Sequence, residues 1–159
     1  MRGISLVKIL FVCHGNICRS PMAEFIMKKL VKDAGYEDDF LISSAATSNE
    51  EIGNDIYPQA KAALQHYKIP FEHHRARRIR RNEYSDWDYI IAMDEENLEN
   101  ISYIIGSDDE KKIRLLLSFT GEDRSVADPW YTRDFEKAYK DIYRGCEALL
   151  IEVAKIKFK

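Results

Sequence analysis

Leu6, Val7, Ile9, Leu10, Phe11 and Val12 form an apolar run broken only by Lys8, the pattern of a strand buried on both faces of a parallel sheet. After it the period changes. Met22, Phe25, Ile26 and Leu30 recur at helical spacing, Pro21 suits a first helical turn, and Gly35 can end the helix. Phe40 to Ser44 reads as a second strand, and Pro58 opens a helix whose inner face is Ala60, Ala63, Leu64 and Tyr67. Asp88 to Met93 predicts a third strand, followed by a helix through Leu98, Ile101 and Ile105, and Ile113 to Leu117 predicts a fourth strand. Phe135, Ala138, Tyr139, Ile142, Cys146, Leu149, Leu150 and Val153 then follow at spacings of three and four, a long amphipathic helix.

Strands alternating with helices imply parallel pairing through right-handed crossovers. The expected fold is α/β: a small doubly wound sheet of four parallel strands flanked by helices on both faces. Ligands of such sheets bind outside the carboxyl ends of the strands, where Cys13 falls. A chain of 159 residues is expected to form a single domain over 1–159, since no repeat, linker or low-complexity tract divides it.

Composition narrows the class. The apolar fraction of 45% and charged fraction of 32% are those of an ordinary globular chain. The stretch Ile4 to Val12 is too short for a signal-peptide core or a membrane span. Three cysteines, two of them five residues apart, do not make the disulfide framework of a secreted domain, so a cytoplasmic location with no membrane contact is expected. A net charge of -3 argues against a nucleic-acid partner. Arg75, Arg77, Arg78, Arg80 and Arg81 are either a solvated basic loop or a rim that attracts an anionic substrate.

The chemistry concentrates between the first strand and the first helix, in Cys13-His14-Gly15-Asn16-Ile17-Cys18-Arg19-Ser20. A loop of this length can wrap an oxyanion with successive backbone N–H groups, helped by the positive end of the following helix. Arg19 offers a planar fork to two phosphate oxygens. The same donors favour a thiolate at Cys13, a ready nucleophile. Gly15 is read as permitting a backbone closed to other residues, Asn16 as tying the loop to its neighbours, and Ser20 as a hydrogen-bond donor to the Cys13 sulfur. The ordinary alternative for Cys13 is a small buried hydrophobe. The strand before it, Gly15 and Asn16 within the loop, and Ser20-Pro21 after it argue against that. His73 and His74 lack metal-ligand spacing, and neither metal nor cofactor is expected.

This loop, continued by Pro21-Met22-Ala23-Glu24, resembles the signature of the low-molecular-weight protein tyrosine phosphatases. The likeness extends through Ser44-Ala45-Ala46-Thr47-Ser48, Glu51-Ile52-Gly53-Asn54, His74 with Ala76-Arg77, Met93-Asp94-Glu95 and Asp128-Pro129-Trp130-Tyr131. It implies hydrolysis of phosphotyrosine or a small aryl phosphate through a cysteinyl-phosphate on Cys13. Arg19 grips the phosphate, and Asp128 is general acid and base, although Asp-Pro read without the family is a turn signal. It also implies Trp130 and Tyr131 as aromatic walls, with ordinary packing as the alternative. A buried network would join Asn16 to Ser20, Ser44 and His74. Glu50 departs from the family, which often has an aromatic residue there, and its carboxylate is expected to repel an incoming phosphate. Cys18 is either a redox partner for Cys13 or a packed small residue, and Cys146 is read as core.

Arsenate reductases of related architecture need further cysteines, and only Cys146 lies beyond the loop. Protein arginine phosphatases, the runner-up, tend to carry threonine where this chain has Ile17, an apolar group that favours an aromatic ester. A phosphate-binding module without turnover would need neither Cys13 nor Asp128. A monomer or weak dimer is expected. Arg19→Lys keeps the charge but loses the fork, and should lower kcat/KM for an aryl phosphate by roughly 100-fold in a steady-state assay.

Overall fold

The computed structural model describes residues 6–158; Ile4 and the outermost residues of the 1–159 span lie outside the described residues. In chain order the elements are β1 Val7–Cys13, α1 Arg19–Asp33, β2 Phe40–Ala46, α2 Pro58–His66, β3 Tyr89–Ala92, α3 Glu95–Ile105, β4 Ile113–Leu115, α4 Pro129–Thr132 and α5 Phe135–Lys157. Short 3-10 turns occupy Glu37–Asp39, Arg81–Asp86 and Leu116–Thr120.

The continuous apolar run of β1 is explained by its position inside the sheet. Ile9, Phe11 and Cys13 point into one core, with α1, α2 and α5, and Leu10 and Val12 point into the other, with α3 and Trp87. All strands are parallel, in the order β2-β1-β3-β4. This is the four-stranded α/β sheet read from the alternation of patterns. The register runs from Val7 opposite Phe40 to Cys13 opposite Ala46 on one side, and from Ile9 opposite Tyr89 to Val12 opposite Ala92 on the other. The chain moves outward from β1 to β2, then returns across β1 to begin β3. That reversal opens a crevice between the carboxyl ends of β1 and β3, with Cys13 at its edge.

The fourth strand ends earlier than its apolar run, for a packing reason. The run Ile113 to Leu117 pairs only as far as Leu115. Leu116 and Leu117 remain fully buried, but in a 3-10 turn packed under α5, so their apolarity reports burial rather than strand. Helix α1 starts at Arg19, two residues before Pro21, so the proline sits in the first turn without losing a needed donor.

The approach of α5 to that turn sets a tight tolerance. A Cβ added at Gly145 would lie 2.4 Å from Leu116 Cγ, and Leu116 is fully buried with no room to retreat. Alanine favours a helix interior over glycine by about 1 kcal/mol, but overpacking costs about 1–3 kcal/mol. Gly145→Ala should therefore lower unfolding stability by roughly 1–2 kcal/mol in urea titration, against the helix-propensity trend.

Candidate active site

The loop leaving β1 turns sharply at Asn16, whose φ is 60° and whose side chain is fully buried. Asparagine tolerates this left-handed backbone better than most residues. Gly15 does not need glycine's freedom, a correction to its expected role, because the positive φ falls one residue later. Its lack of a side chain matters for space, since a Cβ there would meet Glu51 Cγ at 3.3 Å. Asn16 Nδ2 donates to Ser20 Oγ (2.7 Å), and its Oδ1 accepts from the Arg77 amide (3.2 Å). Its main-chain oxygen lies 2.7 Å from His74 Nε2. A carbonyl can only accept, so His74 carries its proton on Nε2.

The Ser20 hydroxyl, which accepts from Asn16, has one proton to give; Cys13 Sγ lies at 3.0 Å and the Ala45 carbonyl farther off at 3.5 Å, and the Ser20 amide lies 3.4 Å from the same sulfur. The amides of Gly15, Asn16, Ile17 and Cys18 donate to no acceptor among the described residues. Four such donors in a row at the start of α1 form a nest for an anion.

Arg19 is 2% exposed, and its side chain spans the crevice. Both Nη1 hydrogens have acceptors, Asp94 Oδ2 and the Val126 carbonyl, each at 2.8 Å. The edge formed by Nε and Nη2 remains for a ligand, and Nη2 sits 3.4 Å from Asp128 Oδ2. Burial works against the guanidinium charge, but the negative groups at Cys13, Asp128 and Asp94 outweigh it and strengthen its hold on the proton. Asp94 also caps α3, with Oδ1 accepting from the Asn97 amide at 2.7 Å. Asp128 caps the single turn of α4 through the Trp130 amide at 3.0 Å, so the Asp-Pro turn signal and the site carboxylate are the same feature.

Over this floor opens a cleft of about 150 Å³. His14, Ile17 and Cys18 line it from the loop, Glu50 and Glu51 from the segment after β2, Glu96 from the start of α3, and Asp128, Trp130 and Tyr131 from α4 and its cap. Trp130 is 46% exposed and meets Tyr57 edge-on, with centroids 5.1 Å apart, while Tyr131 is 82% exposed. Glu50 is hydrogen-bonded through Oε2 to His14 Nε2. None of Arg75, Arg77, Arg78, Arg80 and Arg81 lines the cleft. Arg77 instead forks onto the buried Glu83 at 3.0 and 3.1 Å, and Arg78 reaches the Thr47 carbonyl at 3.3 Å. Among the described residues no cluster of three or more His, Cys, Asp or Glu is arranged to hold a metal ion, and no helix is long and apolar enough to cross a membrane.

Comparison with known proteins gives this geometry a family. The sequence model described as low molecular weight phosphotyrosine protein phosphatase matches residues 8–158. The chain belongs to that family. It is 38% identical over 155 residues to the low molecular weight protein-tyrosine-phosphatase YfkJ of Bacillus subtilis, covering 96% of this chain and 99% of the relative. The crystal structure of YfkJ superposes with a TM-score of 0.94 over 99% of each chain. The human low molecular weight phosphotyrosine protein phosphatase is 39% identical over 149 residues, 89% of this chain and 92% of the relative. A Drosophila protein described as an arginine phosphatase is 33% identical, with a TM-score of 0.82 over 92% of this chain and 98% of its own.

Within this phosphatase the expected support network needs one correction. Asn16 is joined to Ser20 and His74, but Ser44 turns away and donates to Glu24 Oε1 at 2.6 Å. Glu24 is a nearly buried carboxylate on α1 that must be satisfied, and the Arg77 amide takes the place Ser44 was expected to fill. Sequence reasoning also missed Asp94, Glu51 and Glu96 as site residues. Asp94 carried a usable signal, a carboxylate at the carboxyl end of the strand beside β1. Glu51 and Glu96 carried none, because a glutamate in an exposed loop or a first helical turn is ordinary.

Of the loop thiols, Cys18 is pushed up to about 12 by burial, reinforced by the negative charges at Cys13 and Asp128. Burial, with the negative charge of Glu147 adding to it, also pushes the fully enclosed Cys146 thiol, packed against the Ala23 carbonyl, far up. A raised pKa leaves the neutral thiol in place below that value, so neither residue supplies thiolate near neutrality. Iodoacetate should therefore label Cys13 first, with inorganic phosphate protecting it. Cys13→Ser should leave no fast-reacting thiol between about pH 6 and 9 in peptide mapping, because burial, the largest cause at Cys18, survives the substitution.

Proposed function

We propose that this phosphatase hydrolyses phosphotyrosine and related aryl phosphate monoesters through a phosphocysteine on Cys13. The observation that carries the reading is the convergence of Cys13 Sγ, the unpartnered amides, the free edge of Arg19 and Asp128 in one cleft. The phosphate enters the nest with its oxygens on the loop amides and on Arg19 Nε and Nη2. The sulfur lone pair forms the S–P bond as the P–O bond to the phenol breaks, and the departing oxygen takes its proton from the Asp128 carboxyl. In the second half a water attacks phosphorus and gives its proton to the Asp128 carboxylate. The S–P bond then breaks with its electrons returning to sulfur, which Ser20 stabilises at 3.0 Å. Charge neutralisation comes from Arg19 and the amides throughout, so the reaction calls for no metal or cofactor.

Ile17, an apolar wall of the cleft, and the exposed ring of Trp130 suit an aromatic leaving group. The likeness to the Drosophila arginine phosphatase supports the second reading, hydrolysis of phosphoarginine. Cys146 lies fully buried in the core, unsuited to the thiol relay of an arsenate reductase. The proposal places the enzyme in the cytoplasm as one domain, monomeric or weakly dimeric, with a phosphotyrosine protein or small aryl phosphate as its partner.

Turnover of an aryl phosphate should persist in excess chelator and vanish in Cys13→Ser. Asp128→Ala should cost roughly 100- to 10,000-fold with a poor leaving group and far less with a good one. Among matched peptides phosphotyrosine should be turned over fastest. A faster rate on phosphoarginine would favour the second reading, and turnover restricted to phosphoserine would refute both.

A further inference from the structure

The cleft carries opposite charge at its two ends. At the floor lie the amide nest and Arg19. At the mouth stand Glu50 and Glu51 on one side and Glu96 on another, together with Asp128. No lysine lines the cleft, and its one arginine is the floor residue, already paired with Asp94. Arg133, which follows α4, does not itself line the cleft: it bonds Tyr57 Oη (3.2 Å) and the Trp130 carbonyl (3.5 Å) and lies over the Tyr57 and Phe135 rings, with its charge still felt at Cys18.

The mouth carboxylates are set in position. Glu50 is anchored by one oxygen to His14, and Ser48, two residues earlier, donates to the His14 carbonyl from its amide (3.1 Å) and its hydroxyl (2.9 Å). This double stitch ties the loop bearing Glu50 to the phosphate loop itself. The Glu50 side chain is still 66% exposed, with its second oxygen uncommitted. Glu51 is braced by Asn54 Nδ2 at 2.9 Å, and Glu96 has no ion-pair partner among the described residues.

A phosphate dianion crossing this mouth is repelled until it reaches the floor, and a small aryl phosphate has nothing to offset that. A peptide with cations on either side of its phosphotyrosine has the offset built in. We infer that Glu50, Glu51 and Glu96 make this enzyme select phosphotyrosine flanked by lysine or arginine and discriminate against acidic flanks. The inference rests on the reading of the cleft as a phosphotyrosine site and adds the class of sequence around the phosphate.

The test compares kcat/KM at low ionic strength for two peptides identical except for lysines or glutamates around the phosphotyrosine, with p-nitrophenyl phosphate as a third substrate. The lysine peptide should be favoured roughly 10-fold, and the preference should shrink as salt screens the exposed mouth. In the double variant Glu50→Gln, Glu96→Gln the ratio should fall toward one. Parity between the peptides in the wild type, a preference for glutamate, or a ratio untouched by salt overturns the inference while leaving the phosphatase reading intact. A preference fully retained in the folded double variant overturns the assignment to these residues. Wild-type failure on all three substrates overturns the reading of the cleft and this inference with it. The wild-type comparison and its salt dependence need no variant to fold.

Discussion

At Asn16 the backbone is held in a left-handed turn inside a fully buried position, and the loop around it would relax if its three hydrogen-bond sets were lost. The side-chain amide is fixed by Ser20 and the Arg77 amide, and the main-chain carbonyl by His74. Leaving any of these buried groups unpaired costs about 1–3 kcal/mol, enough to decide the shape of a short loop. Because Asn16 is satisfied by side chains and by a distant segment, its neighbours' amides need not fold back onto the protein and can face an anion. The same contacts aim the Ser20 hydroxyl at the Cys13 sulfur. Loop shape, anion nest and the hydroxyl set against the Cys13 sulfur are thus consequences of one buried constraint.

The sheet topology supplies what the loop cannot. Reversal between β1 and β3 brings Asp94, at the end of one strand, against Arg19, just past the end of the other. A guanidinium that is 2% exposed needs carboxylates around it. Asp94 holds one end and Asp128 approaches the other, leaving the fork between them for phosphate. Asp128 in turn is fixed as the cap of α4, so a residue read locally as a turn former also points a carboxyl at the cleft. The mouth beyond is lined by glutamates, and the cleft changes sign along its length.

Strand β1, the loop from Cys13 to Ser20 and helix α5 were legible because each combines a long pattern with a chemical signature. Apolar run, phosphate-loop spacing and three-four periodicity leave little room for another reading. Less was legible where local sequence and tertiary setting disagree. Leu116 and Leu117 continue an apolar run but are buried in a turn, and Gly15 draws attention that belongs to Asn16. The five arginines around Arg78 could be read either as a solvated basic loop or as a rim for an anionic substrate; in the fold Arg77 is drawn to the buried Glu83 and none lines the cleft. Ser44 was lost to Glu24, whose need for a partner depends on burial that a single sequence does not display. Glu51 and Glu96 become site residues only through the fold.

In the proposed reaction Cys13 Sγ is the atom that accepts phosphorus. The most direct test is to mix the Asp128→Ala enzyme with an aryl phosphate bearing a good leaving group, quench within the first turnovers, and locate the trapped phosphoryl group by peptide mass spectrometry. The account predicts one phosphoryl adduct, on the peptide that begins the loop, at Cys13. A phosphoryl group on His14, Cys18 or Cys146, or turnover with no adduct at all, would contradict it.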